Sequence, residues 1–205
     1  PPNVARLIAS LDQYAYSVDQ DTLYAHLYVG GQLSAAIHDD EVRLQVDTEY
    51  PWNGKVSMKL SLQKEKQFRL ALRIPGWCEQ ASLTINGNLI EMESRIQHGY
   101  VYVDRIWKDG DQLDLQLEMP ILRMRSHPQV RANAGKVALQ RGPLVYCLEE
   151  ADNHAPLASL SLPHDAQLTD RFDHTKLGGC VVIEGDGWRD EEASWREQLY
   201  RPVAK

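Results

Sequence analysis

Three tryptophans stand beside turn-forming residues: Trp52 in YPWNG, Trp77 in IPGWC and Trp107 in DRIWKDG. A ring held at a turn can stack on the apolar face of a sugar, and the same ring can close the end of a β-sandwich. Trp52 and Trp77 are the sugar-facing candidates. The other chemistry-bearing residues are dispersed. Seven histidines (His26, His38, His98, His127, His154, His164 and His174) include no pair at the HxH or HxxxH spacing of metal ligands. Cys78, Cys147 and Cys180 are odd in number and far apart, so they form neither a CxxC motif nor a disulfide framework. Buried free thiols in a reducing, cytoplasmic setting are the expectation for them.

Paired carboxylates cleave glycosides when they stand about 5 to 9.5 Å apart. Asp39-Asp40, Glu149-Glu150 and Glu191-Glu192 are pairs by composition, but adjacent residues of a strand point to opposite faces. They read as solvated surface. The chain carries no GxSxG elbow, P-loop or dinucleotide fingerprint. The residues themselves assign no catalytic group and no metal ligand.

The elements that would position these residues are mostly strands. Pro1-Pro2 suits a helix entrance, and Val4, Leu7, Ile8, Leu11, Tyr14, Ala15 and Val18 recur at helical spacing. One helix is expected there, ending at Asp19-Gln20-Asp21. From Thr22 the period becomes two: Val42/Leu44/Val46, Val56/Met58/Leu60/Leu62, Phe68/Leu70/Leu72/Ile74 and Leu113/Leu115/Leu117/Met119. Asn86-Gly87 and Asp109-Gly110 are hairpin signals, and Pro51–Gly54, Pro75-Gly76 and Gly142-Pro143 mark further turns. LVYCLEE and CVVIEG read as strands covered on both sides. Ala151–Pro163 reads as loop, and DEEASWREQLY could form a short helix. The fold class is therefore mainly β: an antiparallel, jelly-roll-like β-sandwich preceded by one helix.

The 205 residues suffice for one large domain or two small ones, and the 43% hydrophobic and 25% charged shares are those of a water-soluble globular chain. No apolar stretch approaches the roughly 20 residues of a membrane-spanning helix, so no membrane partner is expected. A net charge of −7 argues against nucleic acid as a partner. The stretch from Met119 to Leu148 nevertheless contains no acid, while Arg123, Arg125, Arg131, Lys136 and Arg141 lie within it. It is either exposed charge alternating along strands or a docking face for an acidic neighbour.

Five blocks, PPNVARLIASL, LYAHLYVGGQLS, TEYPWNGKVSMKL, FRLALRIPGWC and RANAGKVALQRGPLVYCLEEADN, agree in order and spacing with one family. Together they resemble glycoside hydrolase family 127, the bacterial β-L-arabinofuranosidases, over residues 1–153. The resemblance implies an (α/α)6 catalytic barrel followed by β-sandwich domains, and a zinc ion held in the barrel by a glutamate and three cysteines. Two of those cysteines are adjacent and directly precede a PPN sequence, and one is the nucleophile. Pro1-Pro2-Asn3 matches the residues after the pair, which places the pair immediately before Pro1. On this reading residues 1–20 are the last helix of the barrel, 21–150 the sandwich and 151–205 a variable, truncated C-terminal region. The fragment itself would carry no zinc and no catalytic residue. Its partners would be its own barrel, the carbohydrate substrate and, through an exposed helix stripe and an open sheet edge, a second copy. The alternative is a free-standing, lectin-like carbohydrate-binding sandwich.

Overall fold

The structure is a computed structural model that describes residues 2–190 and 199–200. The chain divides into two compact units, Pro1–Pro120 and Ile121–Lys205. The boundary expected near residue 150 falls inside the second unit.

The first unit begins with two short helices, α1 (Pro2–Ile8) and α2 (Asp12–Ala15). Its strands are β1 (Tyr16–Val18), β2 (Thr22–Ala25), β3 (Gly31–Ile37), β4 (Asp40–Thr48), β5 (Lys55–Leu62) and β6 (Lys66–Arg73). They continue with β7 (Ala81–Ile85), β8 (Asn88–Ile90), β9 (Ile96–Gln97), β10 (Tyr100–Trp107) and β11 (Gln112–Leu117). Two sheets result, ordered β1-β2-β6-β10-β9 and β3-β4-β5-β11-β7-β8. All pairings in them are antiparallel except β2 with β6, which is parallel.

The alternation read from the sequence sets the register. In the larger sheet Val46, Met58, Leu113 and Ile85 form one cross-strand row, and in the smaller sheet Leu23, Leu70 and Val103 form another. These side chains are buried in one core, and each fully buried aliphatic chain contributes about 1.5–3 kcal/mol. A one-residue slip would turn every member of a row to solvent, so the core itself fixes the pairing.

The tight hairpin turns need left-handed backbone. Asn86-Gly87 joins β7 to β8 with φ of 51° and 78°, as its sequence predicts. His38-Asp39 (47° and 64°) and His98-Gly99 (51° and 80°) make two-residue turns of the same kind, between β3 and β4 and between β9 and β10. Asp109-Gly110 does not close a hairpin. The strand before it, β10, belongs to one sheet and the strand after it, β11, to the other, so this turn carries the chain across the sandwich.

The single helix expected over residues 4–18 is also absent as such. The Ser10 hydroxyl donates to the Leu7 carbonyl at 3.1 Å, competing with the helical ladder where α1 ends. Tyr16, Ser17 and Val18 instead pair with Ala25, Tyr24 and Leu23. Aromatic and β-branched residues accept that extended pairing readily. The apolar stripe stays exposed at Val4, Leu7, Ile8, Leu11 and Tyr14, and only Ala15 is buried.

In the second unit β12 (Ile121–Met124), β13 (Ala138–Arg141) and β14 (Leu144–Tyr146) form a three-stranded sheet. A short helix, α3 (Glu150–Asn153), follows. β15 (Leu160–Ser161) pairs with β18 (Trp188–Arg189), and β16 (Leu168–Asp173) with β17 (Cys180–Gly185). The acid-free stretch is partly consumed here. Arg123 donates to the carbonyls of Pro163 (2.8 Å) and Ala166 (2.6 Å), and Arg141 meets Asp170 at 3.0 Å. Arg125, Arg131 and Lys136 lie exposed on the loop between β12 and β13. LVYCLEE is not covered on both sides: Val145 is 71% and Leu148 58% exposed, because β14 is a short edge strand. Most of the helix expected in DEEASWREQLY lies outside the described residues. No helix among the described residues is long and apolar enough to cross a membrane.

Candidate functional site

The tryptophans have three different fates. Trp107 is fully buried, its indole N–H donates to the Phe68 carbonyl at 3.0 Å, and the Arg105 guanidinium lies 5.1 Å from its ring centroid. It is a core residue. Trp77 is half-buried against the same core, with its side chain close to Tyr50. Tyr50 in turn meets Tyr28 edge-on at 6.1 Å, and the buried Tyr28 hydroxyl donates to the Arg73 carbonyl at 2.6 Å. Burial pushes the Tyr28 and Tyr50 hydroxyls above their usual titration range, so both stay protonated donors. Trp52 is half-buried in the turn that follows the cis Tyr50–Pro51 bond, its backbone N–H bonded to the Glu49 carbonyl at 2.9 Å. The closeness of Tyr50 and Trp77 places the Pro51–Gly54 and Ile74–Cys78 turns at the same end of the sandwich.

Cys78 sits at that end, and its thiol donates to the Gln80 carbonyl at 3.1 Å. Burial raises its pKa, so it is held as a thiol and not as a thiolate nucleophile. Cys147 is exposed, contrary to the expectation of buried thiols, and Cys180 is buried; all three are free. Among the described residues no three His, Cys, Asp or Glu side chains come together as a metal group. Asp39 forms a left-handed turn, and Asp40 is neutralised by Lys64 and Lys66. The Glu150 carboxylate accepts the Leu157 backbone N–H at 3.1 Å. Glu191-Glu192 lies outside the described residues.

A second group of aromatics lies on the outward face of the smaller sheet, and the sequence reading passed over it. Tyr24 and His26 are two apart at the end of β2, and Tyr100 and Tyr102 are two apart in β10. Across the intervening β6, both Tyr24 and Tyr102 lie beside Ala71. His26 Nδ1 lies 2.7 Å from the Tyr100 hydroxyl, and His26 Nε2 lies 2.7 Å from the Ser17 hydroxyl. Partial burial, with the Arg73 guanidinium nearby, lowers the His26 pKa and keeps the ring neutral at pH 7. The available signal was the i, i+2 spacing of aromatic residues on the face opposite the aliphatic core.

Comparison with known proteins is consistent across both units. Residues 22–119 match the family described as β-L-arabinofuranosidase, GH127 middle domain, and residues 121–191 match the glycoside hydrolase family 127 C-terminal domain. Over 196 residues the chain is 33% identical to a non-reducing end β-L-arabinofuranosidase of Bifidobacterium longum subsp. longum, covering 90% of this chain and 29% of that protein. The crystal structure of a GH127 β-L-arabinofuranosidase from Geobacillus stearothermophilus T6 superposes on all of this chain with a TM-score of 0.95 and 49% identity. This chain covers 32% of that one. Another GH127 β-arabinofuranosidase structure gives 0.86 and 30% identity, over 93% of this chain and 33% of its own length. The chain thus spans about a third of the length of these relatives. The two successive domain matches, in the order of the two compact units, show that this chain belongs to glycoside hydrolase family 127.

Proposed function

We propose that this chain is the β-sandwich part of a glycoside hydrolase that releases L-arabinose from β-L-arabinofuranosyl groups, and that it supports the reaction without performing it. The observation that carries this reading is the pair of middle- and C-terminal-domain matches, which occupy the two units and leave no separate catalytic domain within residues 22–191.

The residues present do not suit the zinc that the family resemblance implies. Among the described residues no metal group exists, and the Cys78 thiol is held protonated. On the family resemblance, the zinc ligands and the nucleophilic cysteine belong to the catalytic barrel and not to the two domains matched by this chain. The role left to this chain is to hold that barrel. Val4, Leu7, Ile8, Leu11 and Tyr14, exposed along the first two helices, form an apolar surface of the kind that packs against further helices. The free cysteines fit a reducing, cytoplasmic setting. Incubation of the intact enzyme with a β-L-arabinofuranosyl disaccharide tests the substrate assignment. Release of L-arabinose is expected, and an intact enzyme that leaves the disaccharide uncleaved would overturn it.

A further inference from the structure

The outward face of the β1-β2-β6-β10-β9 sheet is built more elaborately than a solvent-facing sheet requires. Ala71 lies there, between Tyr24 and Tyr102, and is 0% exposed. Its burial on an outward position means that the aromatic rings lie over it. The rings pack both in parallel and edge-on, with Tyr100 and Tyr102 tilted 52° from each other. Tyr24 and His26 are nearly parallel (14°, centroids 5.8 Å apart), while Tyr100 and Tyr102 stand at 87° and 89° to Tyr24. The cluster thus joins stacked and edge-on ring contacts with hydroxyl groups on the same face.

The polar groups are already aligned. Ser17, His26 and Tyr100 form a continuous hydrogen-bonded row, and Tyr102 stands edge-on to Tyr24 with ring centroids 6.3 Å apart. Arg73, opposite Tyr100, is exposed and enters no ion pair among the described residues. The neighbouring Arg69 is partly neutralised by Asp21 at 3.8 Å, so the surface as a whole is only weakly cationic. The row is not a catalytic triad. Tyr100 is a neutral partner and does not supply the carboxylate that stabilises an imidazolium in such triads.

From these features we propose that the face formed by Tyr24, His26, Tyr100 and Tyr102 is a saccharide-binding surface that takes a neutral furanosyl chain. Sugars combine an apolar C–H face with a rim of hydroxyls, and this surface offers rings for the first and fixed donors and acceptors for the second. Arg73, with a planar fork of N–H donors, would bridge neighbouring hydroxyls. The choice of a furanosyl ligand rests on the substrate proposed above; the surface itself rests on the ring geometry.

The test is titration of the 205-residue chain with an α-1,5-linked L-arabino-oligosaccharide and with a β-L-arabinofuranosyl disaccharide, followed by NMR. Saturable shifts of the His26 ring and of Tyr24, Tyr100 and Tyr102 are expected with at least one of them. Tyr24→Ala and Tyr102→Ala should each weaken the apparent Kd at least tenfold. The unaltered chain's shift map gives a reading that does not depend on how those variants fold. Failure of both sugars to saturate, shifts centred on Trp52 or Trp77, or unchanged affinity in well-folded variants would overturn the proposal. A preference for an oligogalacturonate that vanishes with added salt would also overturn it, in favour of an anion site at Arg73. Release of L-arabinose by the intact enzyme is scored separately, so failure of this surface is distinguishable from failure of the proposed substrate.

Discussion

At Gly54 an added Cβ would stand 1.8 Å from the Leu117 carbonyl oxygen and 2.9 Å from its carbon. The Leu117 N–H also donates to the Gly54 carbonyl at 2.9 Å, so the two backbones are fastened at the distance that only glycine allows. Gly54→Ala should destabilise the first unit by about 3 kcal/mol, read as a lower urea midpoint. His26 provides a pH-dependent case. Its pKa is lowered in the folded chain, so the unfolded chain binds more protons between that value and 6.5. Stability from this group is present above pH 6.5 and is lost as pH falls through the folded value. An NMR titration of the ring should give a midpoint below 6.5. The melting temperature of the native chain should fall more steeply below that pH than that of His26→Gln.

The β7–β8 hairpin shows how a turn is locked by its side chain. Asn86 adopts φ of 51°, donates from Nδ2 to Asp111 at 2.7 Å, and accepts the Gln112 N–H at 2.9 Å. Asp111 is only 6% exposed, and its pKa is lowered by the bonds from Asn86 and the Lys108 backbone, against the opposing effect of its burial. Asn86→Ala should cost about 2 kcal/mol by equilibrium denaturation, since it removes both bonds and strains the turn. Asn86→Gly relieves the strain alone and should cost less. Elements of this kind were legible because alternation and Asn-Gly chemistry are local. Val42–Val46, Val56–Leu62, Phe68–Leu72 and Leu113–Leu117 all enter the core as their spacing predicts. What failed depended on partners distant in sequence. Tyr16–Val18 leaves a helical pattern because β2 offers it an edge, and Asp109-Gly110 joins two sheets because β10 and β11 find different neighbours. The outward ring cluster was missed for the same reason: Tyr24 and Tyr100, 76 positions apart, meet only through β6.

For the whole molecule, the exposed helix stripe and the edge strand β1 predict how the isolated chain behaves. Val4, Leu7, Ile8, Leu11, Tyr14 and Val18 are each at least 43% exposed, a surface that self-associates when no other partner covers it. Light scattering of the chain at high concentration should give a mass above the 23.3 kDa monomer, and Leu7→Ser/Ile8→Ser should return it to monomer. A clean monomer for the unaltered chain would count against this use of the stripe. In the proposed function, the glycosidase chemistry lies outside these 205 residues, which support it. Arabinose release and bound zinc, measured for the 205-residue chain and the intact enzyme side by side, test that most directly. Turnover and stoichiometric zinc are expected in the intact enzyme, with neither in the chain alone; turnover by the chain alone, or zinc held by it in stoichiometric amount, would overturn the proposed division of labour.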